Sequence, residues 1–210
     1  MSTDRVTIAC VVEGEGERIA IPKVLYRIAH QSDVWALHVP KPKRVPRSRL
    51  VAPGGVEREV SEAAYRVTSP GGVLVVLDAD DDCPADIGPA LLARAHAARP
   101  DVPVSVVLAN REFEAWFLAA ASSLAGDFGF PDHLAPPDEP ESIRGAKEWL
   151  TRQRARGQPY KPTVDQAPLA SAFDLKQARE GAPGLLLSRT ATRPGRLVAT
   201  STQLPPEPPE

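Results

Sequence analysis

The chain has 210 residues, 42% of them hydrophobic and 25% charged, with a formal net charge of −2. Such a composition excludes a low-complexity disordered chain. It also excludes a protein whose whole surface attracts polyanions, so any affinity for nucleic acid must come from a local patch.

Two cysteines, Cys10 and Cys83, are too few for a disulfide framework and fit a reducing compartment. The opening MSTDRVTIACVVEGEGE lacks the basic, apolar and small-residue succession of a secretory signal. No stretch approaches the ~18 apolar residues of a membrane span. A cytoplasmic protein that does not enter the membrane is expected.

Thr7 to Val12 (TIACVV) is a continuous apolar, β-branched run, as in a strand buried on both faces. A glycine-bearing acidic turn, Glu13 to Arg18, leads into helical spacing over Ile19 to Ala29. Val34 to Val39 reads as a second strand, and Val56 to Arg66 as a helix with its valines and alanines on one stripe. After Gly71-Gly72 comes the third strand, Val73 to Leu77, then a helix from Ile87 to Ala98 and a fourth strand from Val104 to Leu108. Asn110 is placed to cap a helix running through Glu114 and Trp116 to Leu124. Strands alternating with helices of this length predict a four-stranded, mostly parallel sheet sandwiched by helices over 1–125. A helical extension over 126–180 follows, with helices at Ser142 to Arg156 and Pro168 to Arg179, and then a proline-rich tail over 181–210, read as disordered.

In a parallel sheet, ligand chemistry gathers at the carboxyl ends of the strands. Glu13, Glu15 and Glu17 stand directly after the first strand, and Asp78, Asp80, Asp81 and Asp82 after the third. Asp78-Ala79-Asp80 puts both carboxylates on one face if the segment stays extended. So many carboxylates in one crevice repel unless a cation neutralises them. Oxygen donors without a Cys or His cluster favour Mg²⁺, Mn²⁺ or Ca²⁺ over zinc, and magnesium keeps positions for water and phosphate oxygens. Aspartates after a strand also cap helices and build turns, and Asp81, Asp82 and Asp86 need do no more than that. Glu13 after a second buried strand is what favours the metal reading for Asp78 and Asp80.

A strand ending in Glu within VVEGEGE and a later one ending in Asp-x-Asp within VVLDADDD resemble the Toprim domain of topoisomerases, DnaG-type primases and OLD-group nucleases. With the run NREFEAWFLAA, residues 5 to 180 are identified as a member of a Toprim-like bacterial family catalogued as domain of unknown function 4276. The resemblance implies a Toprim-like α/β fold in which Glu13, Asp78 and Asp80 hold Mg²⁺ or Mn²⁺. It further implies a second metal, with Glu17 and Glu114 as ligands and Glu112 competing with Glu114. Lys161, in PYKPTVDQ, would support phosphate charge during cleavage. The implied activity is that of a metal-dependent nuclease, associated with a separate ATPase in defence against phage or plasmids. Two other readings stand beside it: a non-catalytic metal-binding module that docks to an ATPase, and an enzyme acting on a small phosphate ester.

Lys41, Lys43, Arg44, Arg47 and Arg49 form an acid-free basic stretch after the second strand. It suits a flexible loop that grips a nucleic-acid backbone, or equally a merely solvated one. A second basic group, Arg144, Lys147, Arg152, Arg154, Arg156 and Lys161, includes helix-face charges of the solubilising kind. His30, His38, His96 and His133 share no metal spacing. Trp116 and Phe117 fall on an apolar helical stripe and are expected in the core. No GxxxxGK[ST] pattern is present, so ATP hydrolysis by this chain is not expected.

Overall fold

Strand β1 (Val6–Val12) lies inside a parallel sheet, and its sequence VTIACVV accounts for that place. A strand covered on both faces has no polar side, and Ala9, Cys10, Val11 and Val12 are each at most 1% exposed. The computed structural model that shows this describes residues 5–68 and 70–182. β4 (Gly71–Asp78) pairs with β1 from Gly71 opposite Thr7 to Val76 opposite Val12. β5 (Val104–Ala109) pairs with β4 on its far side, with Asp78 opposite Ala109 at the end.

The remaining edge is divided between two fragments. β2 (Leu37–His38) pairs with the start of β1, and β3 (Lys43–Arg44) with its end. The protein is therefore α/β, with a parallel sheet of five strands in the order β2-β1-β4-β5 and β3 on the outer side of β1.

Side-chain alternation along the strands divides the interior in two. Cys10, Val12, Leu74 and Val76 point to one face, where they meet Ile21, Val24 and Leu25 of α1 (Glu17–Gln31). Ala9, Val11, Val73, Val75 and Leu77 point to the other. There they meet Val56 and Val60 of α3 (Gly55–Ala64) and Leu91 and Ala95 of α4 (Pro84–Ala98).

The first cluster continues into the C-terminal helices: α5 (Ala115–Ala119), α6 (Ala146–Gln153), α7 (Pro162–Ala172) and α8 (Leu175–Gly181). Trp116 and Phe117 are buried there, with Phe117 edge-on to Phe173 at 5.3 Å between ring centroids.

Several expected elements are redrawn. The second strand shrinks from Val34–Val39 to two residues, and the stretch read as a flexible basic loop contains β3 and a short helix, α2 (Arg47–Val51). The helix expected from Asn110 to Leu124 divides into α5 and a 3₁₀ turn, Ala121–Leu124. Arg111 adopts a left-handed φ of 62°, which prevents a helix from starting at Asn110. Asn110 bonds Glu141 at 3.2 Å instead. The last helix begins earlier than expected, with Pro162 in its first turn, and breaks at Phe173. Asp174 then caps α8 by accepting from the backbone N–H of Lys176 and Gln177. The proline-rich tail lies, from 183 onward, outside the described residues. No helix among the described residues is long and apolar enough to cross a membrane.

Candidate functional site

The carboxyl ends of β1, β4 and β5 stand side by side, and the chain leaves each through an acidic turn. Glu13 follows β1, and its Oε2 accepts from the backbone N–H of Asp78 at 3.2 Å. Asp78 ends β4, and its Oδ1 accepts from the backbone N–H of Phe113 at 2.8 Å. These two bonds stitch three strand ends together. Glu17 opens α1 and folds back, its Oε2 accepting from the N–H groups of Glu13 and Gly14, both at 3.0 Å.

Glu114, the N-cap of α5, is 1% exposed. Its Oε1 accepts from the Tyr160 hydroxyl at 3.0 Å and from Gln166 Nε2 at 3.4 Å, whereas its Oε2 has no hydrogen bond. Each of these four carboxylates is therefore aimed through one oxygen. Their second oxygens carry no hydrogen bond among the described residues.

Four acids so placed change one another's chemistry. Burial, then the charges of Glu17, Glu114 and Glu13, push Asp78 up to about 9. Burial, aided by Glu114 and Glu13 and opposed by the Gly14 N–H, pushes Glu17 up to about 7. Burial also raises Glu13 and Glu114 above the usual carboxylate range.

The counter-charge is Lys147, in the first turn of α6, with its Nζ 2.7 Å from Glu112 and 3.3 Å from Glu114. Burial works against its charged form, but Glu114, Glu112 and Asp78 hold it charged well above the ordinary lysine range. Glu112 also accepts from the Ala146 N–H at 3.1 Å. Glu112 thus positions α6, while Glu114 belongs to the carboxylate group.

The other expected site residues lie differently. β4 ends at Asp78 and Asp80 has a φ of 52°, so the two do not share one face of an extended segment. The Asp80 side chain is 60% exposed and pairs with Arg47 at 3.5 Å. Glu15 pairs with Arg18 at 2.6 Å. Lys161 caps α7, its backbone N–H bonded to Asp165 at 2.6 Å. Lys161 is exposed and, among the described residues, its amine has no partner; its neighbours Tyr160 and Pro162 lie against Glu114 and Gly16.

Lys147, taken in the sequence for a solubilising charge, is the lysine that stands there. A lysine in the first turn of a helix opposes the helix dipole, and that local mismatch is the one signal the sequence offered. Tyr160 and Gln166 had no such signal.

The basic stretch is tied down rather than loose. Lys43 pairs with Glu59 at 2.7 Å and Glu62 at 2.5 Å, Arg49 with Glu59 at 2.9 Å, and Arg44 Nε donates to the Glu13 carbonyl at 3.2 Å.

Among the described residues no three His, Cys, Asp or Glu side chains are gathered tightly enough to hold an ion as they stand. The chemistry of the group nevertheless fits a hard divalent cation. Its donors are carboxylate oxygens, and the buried Glu114 Oε2 has no hydrogen bond, only the Lys147 amine at 3.3 Å. Its negative charge is opposed by Lys147 and, at Glu13, by Arg47 as well. No curated protein and no solved structure matches the chain. A family model described as Domain of unknown function (DUF4276) matches residues 12–185, from the last residue of β1 to beyond α8, and the chain belongs to that family.

Proposed function

We propose that this protein is a metal-dependent phosphodiester hydrolase of Toprim type that uses Mg²⁺ or Mn²⁺ and acts on nucleic acid. The observation that carries the reading is the convergence of Glu13, Glu17, Asp78 and Glu114 at the carboxyl end of the sheet, close enough that Asp78 is pushed up to about 9. Glu13, Asp78 and Glu114 would hold the cation, with Glu17 behind them and Asp80 at the rim. A bound cation supplies polarisation of the phosphate and a water of lowered pKa.

The chain's own residues do the rest. Backbone N–H groups of Asp78, Phe113, Glu13 and Gly14 fix the carboxylates in advance. Lys147 holds Glu112 and Glu114 and would offset the charge of a phosphate bound beside them. The Glu and Asp-x-Asp strand endings that resemble Toprim support the same reading. Association with a separate ATPase in bacterial defence rests on that resemblance. A cytoplasmic location fits the two free thiols, buried Cys10 and exposed Cys83.

Incubation of supercoiled plasmid, linear DNA and RNA with Mg²⁺ or Mn²⁺, beside Asp78→Asn, tests the proposal. Cleavage by the wild type, reduced about a hundredfold or more in the variant with its fold intact, is the expected result. Undiminished cleavage by Asp78→Asn would overturn the assignment. Metal-induced stabilisation without turnover of any substrate would favour a docking module instead.

A further inference from the structure

Beside the acidic strand ends the sign of charge reverses. The loop after β4, carrying Asp80, Asp81 and Asp82, is met by arginines from three separate segments. Arg47 pairs with Asp80 and Asp82 while donating to the carbonyls of Asp78 at 3.0 Å and Ala79 at 3.4 Å. Bound to the backbone in this way, and 18% exposed, it serves as a brace for the loop. Arg111 and Arg144 differ. Both end on a single atom, Asp81 Oδ1, at 3.5 and 2.6 Å. That aspartate is 75% exposed and Arg144 is 70% exposed. An ion pair so open to water contributes little to stability, so folding gives no reason for two guanidinium groups to be brought together there.

The position of the pair is nevertheless fixed with care. Arg111 stands directly before Glu112 and Glu114, and Arg144 directly before the left-handed Gly145 that starts the helix of Lys147. The turns that supply the floor of the crevice therefore also supply its rim. Arg111 at φ 62° and Asp80 at φ 52° are both left-handed non-glycine residues, and the Asp80 N–H donates to the Arg111 carbonyl at 3.0 Å. Strained backbone of this kind persists where surrounding structure over-determines it, and it clusters at binding sites. Here it sets the loop of Arg111 against the loop of Asp81.

We infer that Arg111 and Arg144 are a phosphate-binding pair for a nucleic-acid backbone, and that Asp81 occupies them in the free protein as an internal stand-in for the phosphate. The inference rests on the phosphodiester reading of the crevice and states how that site takes hold of its substrate. The guanidinium fork bonds a carboxylate and a phosphate in the same geometry, so one can replace the other without rebuilding the site. Exchange favours the nucleic acid because it offers phosphates in series and releases counter-ions on binding, whereas Asp81 gives up two contacts made by one exposed carboxylate. Asp81 then acts as a gate on affinity: it keeps the arginines from weaker anions and yields to a polyanion.

Fluorescence anisotropy with a short labelled DNA duplex and a labelled RNA strand, in EDTA and over a series of salt concentrations, tests this without any cleavage. Asp81→Asn is expected to bind at least one of them about threefold more tightly than wild type. Arg144→Glu is expected to bind about tenfold more weakly and to lower the salt slope by about one phosphate contact. Both positions are largely exposed, so neither variant threatens the fold. Lys176→Glu, which changes a still more exposed cation on α8, is expected to bind like wild type.

Failure of the wild type to bind either probe would overturn the inference. So would an Asp81→Asn protein no tighter than wild type, or a Lys176→Glu loss as large as that of Arg144→Glu. The two readings fail separately. Binding in the expected pattern with no metal-dependent cleavage sinks only the hydrolase. Asp78-dependent cleavage with Asp81 and Arg144 variants that bind like wild type sinks only the arginine pair.

Discussion

Glu13, Glu17 and Asp78 each commit one carboxylate oxygen to a backbone N–H and leave the other unbonded. That arrangement has a consequence for pH. Asp78 is pushed up to about 9 and Glu17 to about 7, against about 3.9 and 4.3 in an unfolded chain. Between those limits the folded protein holds more protons than the unfolded one. The stability these groups contribute is therefore fully present below about pH 4 and is lost as pH rises through 7 and then 9. In EDTA the melting temperature is expected to fall from about pH 5 to pH 9, and added Mg²⁺ to restore most at the alkaline end, where the anionic forms it binds prevail. A thermal-shift series would show this, and a melting temperature that climbs across the same window would contradict it. Tyr160 matters at the same scale, because its hydroxyl donates to the buried Glu114. Tyr160→Phe is expected to lower stability by about 1–3 kcal/mol in a urea titration, since it leaves a buried acceptor short of a partner.

The element scale explains why the acidic turn after β1 is rich in glycine. Gly16 has ordinary helical backbone angles, but α7 presses directly against it. A methyl carbon there would stand 2.6 Å from the Pro162 carbonyl oxygen and nearer still to Gln166 Oε1. Gly16→Ala is therefore expected to push α7 away and to cost about 1–3 kcal/mol, measurable by denaturant unfolding. The same comparison shows what a sequence can and cannot carry. The runs TIACVV and VLVVL announced buried strands because both faces of each are covered, and Glu13 and Asp78 are the first acids after those runs. The edge fragments β2 and β3 gave no such pattern, since two residues make no period. Asp80 was misplaced because nothing in Asp-Ala-Asp says where a strand stops. Lys147 and Tyr160 were missed because their positions depend on how α6 and the chain before α7 pass over the sheet, a long-range fact marked locally only by the lysine in the first turn of α6.

For the whole molecule, one core cluster runs from the sheet through Trp116 and Phe117 to Phe173 and Ala178. The C-terminal helices cover that face and also supply Lys147 and Gln166 to the carboxylates, and the chain between α6 and α7 supplies Tyr160. Truncation after Gly126 is accordingly expected to abolish cooperative unfolding in calorimetry, since it strips cover from Trp116 and Phe117, which are at most 2% exposed. Charge is layered in the same sense, with buried carboxylates at the strand ends and arginines on the more exposed loop beside them. The proposed hydrolase requires a divalent cation on these carboxylates. The most direct measurement is a calorimetric titration of Mn²⁺ into the wild type, Asp78→Asn and Glu114→Gln, each shown to be folded. Saturable binding to the wild type that is lost in both variants is the predicted result. Absence of binding to the wild type, or equal binding to all three, would contradict it.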